Sequence, residues 1–565
     1  MKIVDWQRHG PPEVGNSEQE IGNQELTANT FSLPIPTEPR LISTVLSSSL
    51  RRFGASVLSG VLLFFCFPQL GWHFLVWVAI VPLLLAVLAE PRPKRGFWLG
   101  YVCGVIFFAS SCQWFVDVME MHGGLTPVLA WGVLGLFALL FAVFFGAFGW
   151  AIAWTAVKSE ALALLLVPFL WVTTELGRTY LFTGVPWNLL GYAVQADGLR
   201  RVATVTAVYG LSFLAMATSA LLAWVILKPQ CKGSRAAVLA WPIVLLVANW
   251  LLAPPPLVPG ARVAHLVQPN VPMIASEIVK WAPWIDPGPL HRLVEKSIAS
   301  VRADGATEPK PFIIWPENPA PFYFERDPVF RGAAERMARE SGAYVVVGSV
   351  NFADAAETQP KNSAVVLDPQ ARVLLAYDKI HLVPFGEYVP AWAFPNLVGK
   401  ITHEAGSFVP GASYHAAETP EGALSLFICY ESIFPQLVRR LVPEGSAVLV
   451  NISNDAWFGD TAAAAQHLEM ARLRAIENRR YLLRATNDGI TCIIDPYGRS
   501  VARLPRHQSA VLTGRFDFVA GKTFYTRFGD VFAWKCVAIV VMVMAFLAWK
   551  EEQIKRQRAK GKGHK

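Results

Sequence analysis

The sequence predicts a multi-pass α-helical membrane domain joined to an α/β layered domain. Three observations carry that expectation. Of 565 residues, 53% are hydrophobic and 16% are charged, whereas a soluble domain carries about 25% charged residues. The deficit is local: long apolar runs fill the chain before residue 255 and return near 531–549, while 260–516 reads as ordinary globular sequence. Within 260–516, strand-like and helix-like segments alternate, as in an α/β fold.

A helix needs about 20 apolar residues to cross a bilayer. Candidate spans lie near 54–70, 72–90, 97–115, 127–155, 160–179, 203–227, 235–253 and 531–549. Arg92, Lys94 and Arg95 follow the second, Lys158 the fourth, Lys228, Lys232 and Arg235 the sixth, and a basic run ending at Lys565 the last. The loop after the third carries Asp117 and Glu120 instead, and Arg200 and Arg201 are mild exceptions. Basic loops mark the cytoplasmic side of a membrane. The alternation therefore predicts eight spans, both termini cytoplasmic and the α/β domain on the outer face. The net charge of +8 then belongs to the span flanks, and no nucleic-acid partner is expected. The expected organisation is a disordered cytoplasmic tail over 1–50, a seven-helix membrane domain over 51–255, the α/β domain over 260–516, an eighth helix over 531–549 and a basic tail over 550–565.

Pro254-Pro255-Pro256 and Pro259-Gly260 form the linker into the α/β domain. Strands are predicted at 263–268, 312–316, 344–350, 363–367, 373–377, 424–429, 447–453, 490–495 and 510–516 from β-branched and aromatic content between turn residues. Helices are predicted at 289–302, 328–341, 434–441 and 463–485. Of the seven cysteines, Cys66, Cys103, Cys112 and Cys536 fall in or beside apolar spans, and no CxxC occurs. No disulfide framework is expected.

The chemistry centres on Cys429, which ends an apolar run and is followed by Tyr430-Glu431-Ser432. A single strand thiol is more often a small core residue than a nucleophile. Cys492 supplies the contrast, since it sits mid-strand and reads as core. A thiol must be deprotonated to attack. His381, His403, His415 and His467 lie in no protease or metal signature, and each reads as surface or satisfied core. No metal and no cofactor is expected. Glu317 ends the run Ile313-Ile314-Trp315-Pro316, and an acid held beside an aromatic wall suits a general base. Lys379 ends another run and offers a fixed positive charge for an oxyanion. Each alone reads as a solvated strand-end charge; the three together read as a catalytic set.

Trp315-Pro316-Glu317, Asp378-Lys379 with Phe385-Gly386-Glu387, and Cys429-Tyr430-Glu431 resemble the three signatures of the nitrilase (carbon–nitrogen hydrolase) superfamily. Set between seven spans and an eighth, they resemble more narrowly the bacterial apolipoprotein N-acyltransferases, over about residues 50–550. The resemblance implies a nitrilase-like α-β-β-α sandwich, with Glu317 as base, Lys379 as oxyanion stabiliser and Cys429 as nucleophile. The Tyr430 N–H would share the oxyanion hole, Glu387 would orient Lys379, and Glu431 would support the nucleophile. It also implies transfer of an acyl chain from phospholipid, with phosphatidylethanolamine as expected donor, through a Cys thioester to the α-amine of a diacylglyceryl apolipoprotein. This would be the final step of lipoprotein maturation, carried out by a monomer in the bacterial inner membrane with its catalytic domain in the periplasm.

Residues 388–401, which include Pro390, Trp392 and Phe394, are apolar and proline-broken; they are expected to form a lid or interfacial loop at the site, with Pro390 a substrate contact. Trp187, in the outer loop Gly184-Val185-Pro186-Trp187-Asn188, is expected to border the substrate chamber, and Asn362 to support the site. Trp281 and Trp284 are lesser candidates, and 270–286 is left out of the site. A membrane-tethered nitrilase-type amidase would use the same triad with water as acceptor, but one span suffices for a tether. A transporter would place functional charges inside spans; Glu175 and Arg178 lie at a span end.

Overall fold

The computed structural model describes residues 46–305, 308–390 and 408–562. The N-terminal half is helical: α1 (Ser49–Phe65), α2 (Val81–Ala89), α3 (Pro93–Ser111), α4 (Trp114–Met121), α5 (Pro127–Ala156), α6 (Glu160–Tyr180), α7 (Val208–Leu227) and α8 (Lys232–Leu251). Ser48 and Ser159 cap α1 and α6 by accepting from the Arg51 and Leu162 N–H groups, and Pro93 and Pro127 start α3 and α5, where a missing N–H costs nothing. α3 and α5 touch through glycines. A Cβ at Gly96 would meet the Gly149 carbonyl oxygen at 2.4 Å, and one at Gly100 the Phe145 oxygen at 2.1 Å. Small residues four apart let two apolar helices meet backbone to backbone.

Among the described residues, five helices are long and apolar enough to cross a membrane, or six if the bent pair α3–α4 counts as one span. The predicted spans 54–70 and 72–90 take another form. They become the 17-residue α1, a 3₁₀ turn at His73–Trp77 and the nine-residue α2, because the turn at 68–71 and Pro82 break the apolar run. The span predicted from 203 starts at Val208, after Ala207 breaks the helix with φ +53°.

The second half comprises β1 (Arg262–Gln268), α9 (Gly288–Asp304), β2 (Phe312–Ile314), α10 (Pro328–Ser341), β3 (Tyr344–Phe352), β4 (Pro360–Leu367), β5 (Val373–Asp378), β6 (Ala417–Thr419), β7 (Gly422–Ile428), β8 (Ala447–Ser453), α11 (Ala463–Asn478), β9 (Leu482–Thr486), β10 (Cys492–Ile494), β11 (Ser500–Arg503), β12 (Ala510–Phe516) and α12 (Val531–Lys562). Two six-stranded sheets form, in the orders β12-β1-β2-β3-β4-β5 and β11-β10-β9-β8-β7-β6. β1–β2–β3 and β7–β8–β9 are parallel at their centres. Side-chain alternation makes the layers. Phe312 and Ile314 join Leu424, Leu426, Val448 and Val450 between the sheets, while Ile313 faces Leu290, Val294 and Phe330 of α9 and α10. α11 packs against β9 and the turn after β7. The result is a four-layer α-β-β-α sandwich.

The helix predicted over 463–485 stops at Asn478, where Arg479 adopts the left-handed conformation. Residues 482–486 instead form β9, paired with β8 and β10. Leu482, Leu483 and Ala485 favour helix locally, and pairing on both sides overrides that preference. The helix predicted over 434–441 is one α-turn, Pro435–Val438, followed by 3₁₀ residues Arg439–Leu441. The short edge strands β6 and β11 carry no strand signal in the sequence.

Candidate active site

Ligands of α/β sheets gather at the C-terminal ends of parallel strands, and here the polar residues collect there. Glu317 lies three residues past β2, Cys429 directly after β7, Asn454 and Asp455 directly after β8, and Asn487 directly after β9. Lys379 follows β5, and its N–H donates to the Asn362 carbonyl at 2.8 Å, fixing it beside the start of β4. Gly348 in β3 makes room for the Glu317 turn: a Cβ there would sit 2.5 Å from both the Pro316 oxygen and the Asn318 nitrogen.

Glu317, Lys379 and Glu387 form one cluster, the first two buried and Glu387 partly so. Lys379 Nζ donates to Glu387 Oε1 at 2.9 Å and to Glu317 Oε1 at 3.3 Å. Asn362 Nδ2 bridges the same two oxygens at 2.7 and 2.8 Å. The Asn454 N–H donates to Glu317 Oε2 at 2.9 Å, and the Val383 N–H to Glu387 Oε2 at 2.7 Å. Lys379 is 1% exposed. Burial alone would lower its pKa, but Glu317 and then Glu387 outweigh it and hold the ammonium well above its ordinary range. A buried cation is retained only with such partners. Two carboxylates around one ammonium leave a formal charge of −1, which one arriving proton would cancel.

Cys429 sits in the electrostatic field of Lys379 and Glu317, at the head of a 3₁₀ turn, Cys429–Ile433. Its φ is +49°, a conformation few non-glycine residues adopt. Burial first, then Glu317, push the thiol pKa up, against a smaller downward pull from Lys379. The resting thiol is therefore protonated, and attack needs a base. Glu431 secures the turn. Its carboxylate accepts from the Ile428, Ile380 and His381 N–H groups at 2.7, 2.6 and 3.1 Å and from the Tyr377 hydroxyl at 2.9 Å. It ties the nucleophile turn to the residues just after Lys379. Burial pushes its pKa up to about 7, against the pull of those backbone N–H groups and Lys379. Burial and Lys379 push His381 down to about 4, so it adds no charge near Lys379.

Tyr430 packs edge-on against Phe434, and its hydroxyl lies 3.5 Å from the Gly184 carbonyl. Trp187 is buried at 3% exposure, a layer behind the nucleophile. It donates to Gln466 Oε1 at 2.7 Å and stacks on His467. Pro390 is buried, whereas 391–407, with Trp392 and Phe394, lie outside the described residues. Trp284 is 56% exposed against Tyr323. Within 270–286, Met273 Sδ accepts from Asn454 Nδ2 at 3.3 Å. Cys492 is buried within β10. Sequence reasoning missed Tyr377, Asn454, Asp455 and Arg484, whose only signal is a polar residue in or at the end of an apolar run. Among the described residues no three His, Cys, Asp or Glu gather as a metal site.

The chain matches the family described as Carbon-nitrogen hydrolase over residues 267–523 and the Apolipoprotein N-acyltransferase N-terminal domain over residues 59–221. It is 38% identical to the apolipoprotein N-acyltransferase of Geobacter metallireducens, covering 90% of this chain and 97% of that protein. The chain belongs to the apolipoprotein N-acyltransferase family. The same-named protein of Methylococcus capsulatus is 34% identical, covering 83% of this chain and 91% of that one. Among solved structures, an amidase from Nesterenkonia sp. is similar, with 20% identity, a TM-score of 0.35, and coverage of 49% of this chain and 96% of that one. In this member of the acyltransferase family, the hydrolase-like match runs from the end of β1 through β12, and the N-terminal-domain match runs from within α1 to within α7.

Proposed function

We propose that the protein transfers a fatty acyl chain from a phospholipid to the α-amine of a lipoprotein's N-terminal diacylglyceryl-cysteine, with Cys429 as the acyl carrier. Glu317 takes the thiol proton as Sγ attacks the ester carbonyl. The oxyanion forms against the Lys379 ammonium and the Tyr430 N–H, as in other preorganised oxyanion holes. Collapse breaks the ester C–O bond, and Glu317 returns the proton to the departing lysophospholipid. The α-amine then attacks the thioester, Glu317 takes its proton, the C–S bond breaks to give the amide, and Glu317 returns the proton to the departing Cys429 thiolate. Glu387 keeps Lys379 in place through both steps.

The observation that carries this reading is the Glu317–Lys379–Glu387 cluster around a buried ammonium, beside a protonated Cys429, in a chain of this family. The protonated thiol supports a base-assisted attack, and the apolar helices support a lipid-borne substrate over a soluble amide. Phosphatidylethanolamine is the proposed donor. The alternating basic loops support an inner-membrane topology with both termini cytoplasmic and the catalytic domain periplasmic. α1 and the segment His73–Ala89 would then be the two shorter crossings. Cys429→Ala is expected to abolish acyl transfer to a diacylglyceryl peptide in detergent–phospholipid micelles, and Cys492→Ala to retain it. Full turnover by Cys429→Ala would overturn the mechanism.

A further inference from the structure

Behind the nucleophile lies a set of buried side chains that the acyl-transfer scheme leaves unused. His467 on α11, Asp455 after β8, Arg484 on β9 and Ser432 in the nucleophile turn are all 0% exposed. His467 Nε2 lies 2.7 Å from Ser432 Oγ and 3.1 Å from the Cys429 carbonyl oxygen. His467 Nδ1 lies 2.9 Å from Asp455 Oδ1 and 3.1 Å from Arg484 Nη2. The Ser–His–Asp order resembles a second catalytic triad, but full burial of the serine hydroxyl leaves it no substrate.

The Cys429 carbonyl identifies the function of the cluster. A carbonyl oxygen only accepts, so the contact with Cys429 is a hydrogen bond in the tautomer that carries the proton on Nε2, whereas Asp455 Oδ1, also only an acceptor, draws the proton toward Nδ1. Burial and Arg484 keep the ring neutral by lowering its pKa; in the Nε2–H tautomer Nδ1 accepts from Arg484, which only donates and which also neutralises the Asp455 carboxylate facing Nδ1. The guanidinium is itself fixed, donating to Asp455 Oδ2 at 2.7 Å and to Asn451 Oδ1. Asn451 Nδ2 in turn donates to the Phe427 carbonyl at 3.1 Å. Trp187 covers the face of the imidazole. A rigid N–H anchored on β7, β8 and β9 thus grips the carbonyl of a residue with φ +49°.

The carbonyl of Cys429 and the N–H of Tyr430 belong to one peptide plane and point in opposite directions. We propose that His467 is a positioning residue for the oxyanion hole: its Nε2–H holds the Cys429 carbonyl and thereby aims the Tyr430 N–H at the reacting carbonyl. This rests on the reading above that gives the Tyr430 N–H that task. Loss of the imidazole frees the peptide to rotate, and the hole loses a donor while the thiol and its base remain.

Two reactions of Cys429 separate these effects. Acylation by phosphatidylethanolamine passes through an oxyanion; alkylation by iodoacetamide does not. His467→Met and His467→Gln have similar volumes and differ in the N–H they offer, so comparing them cancels shared packing losses. His467→Met is expected to slow single-turnover thioester formation on Cys429 by about 10²–10³-fold, the loss typical of one oxyanion-hole donor, with the alkylation rate at Cys429 changed less than about twofold. His467→Gln is expected to recover at least about tenfold of that loss. Equal acylation by the two variants, or acylation and alkylation falling together, would overturn the proposal. A wild-type protein that forms no thioester on Cys429 would instead sink the acyl-carrier reading itself.

Discussion

Lys379 shows why this site depends on single side chains. It is a fully buried cation whose charge is met by two carboxylates, and removing it would leave Glu317 and Glu387 facing each other through Asn362 alone. Breaking such a cluster costs far more than an exposed ion pair is worth. Glu431 is the counterpart at the nucleophile turn. Three backbone N–H groups and a tyrosine hydroxyl point at its carboxylate. Glu431→Gln puts an amide donor where only an acceptor fits, and a buried donor left unpaired costs about 1–3 kcal/mol. The variant is expected to melt at a lower temperature and to lose at least about tenfold in acyl transfer, roughly 1.4 kcal/mol of transition-state stabilisation. Wild-type melting and rate would show that Glu431 does not hold the turn. The strand-end positions of Glu317, Lys379 and Cys429 were legible in the sequence because each follows an apolar run, where a strand hands a side chain to a turn. His467, Asp455 and Arg484 were not, because their pairing depends on β8, α11 and β9 coming together, and a lone histidine in a helix carries no sign of its partners.

At the scale of elements, the site is only as well placed as the strands beneath it. β3 passes so close under the Glu317 turn that only a glycine fits at position 348. Gly348→Ala must push the 316–318 segment outward, and overpacking of this kind costs about 1–3 kcal/mol. The expected result is a fall in kcat at unchanged thiol alkylation, with a lower melting temperature. An unaltered kcat would mean that the turn tolerates the shift. Most strands could be read from β-branched runs bounded by turn residues. β9 could not, because its leucines and alanine continue the composition of α11 and only Arg479, turning left-handed, separates them. The close packing of α3 on α5 was equally hidden, since the spacing of Gly96, Gly100, Gly146 and Gly149 acquires meaning only when the two helices are seen to touch.

At the scale of the molecule, α11 joins the two halves. Gln466 accepts from Trp187 and donates to the Pro68 and Ser111 carbonyls. Glu469 accepts from Gln195 and Arg200, Arg474 donates to Tyr192, and Glu477 accepts from the Val208 N–H. One face of this helix thus grips the membrane domain while His467 grips the nucleophile turn. None of these pairings could be read from the sequence, because their partners lie more than 260 residues apart. Composition and the alternation of basic loops showed that a helical membrane half and an α/β half exist, but not how they dock. The docking gives physical content to the central claim, that Cys429 receives acyl chains from lipid. The most direct test is the intact mass of the purified protein after incubation with phosphatidylethanolamine alone. The expected result is one fatty-acyl adduct, mapped to Cys429, that persists until a diacylglyceryl peptide is added and then disappears. No adduct, or an adduct lost to water as fast without the acceptor as with it, would contradict the claim.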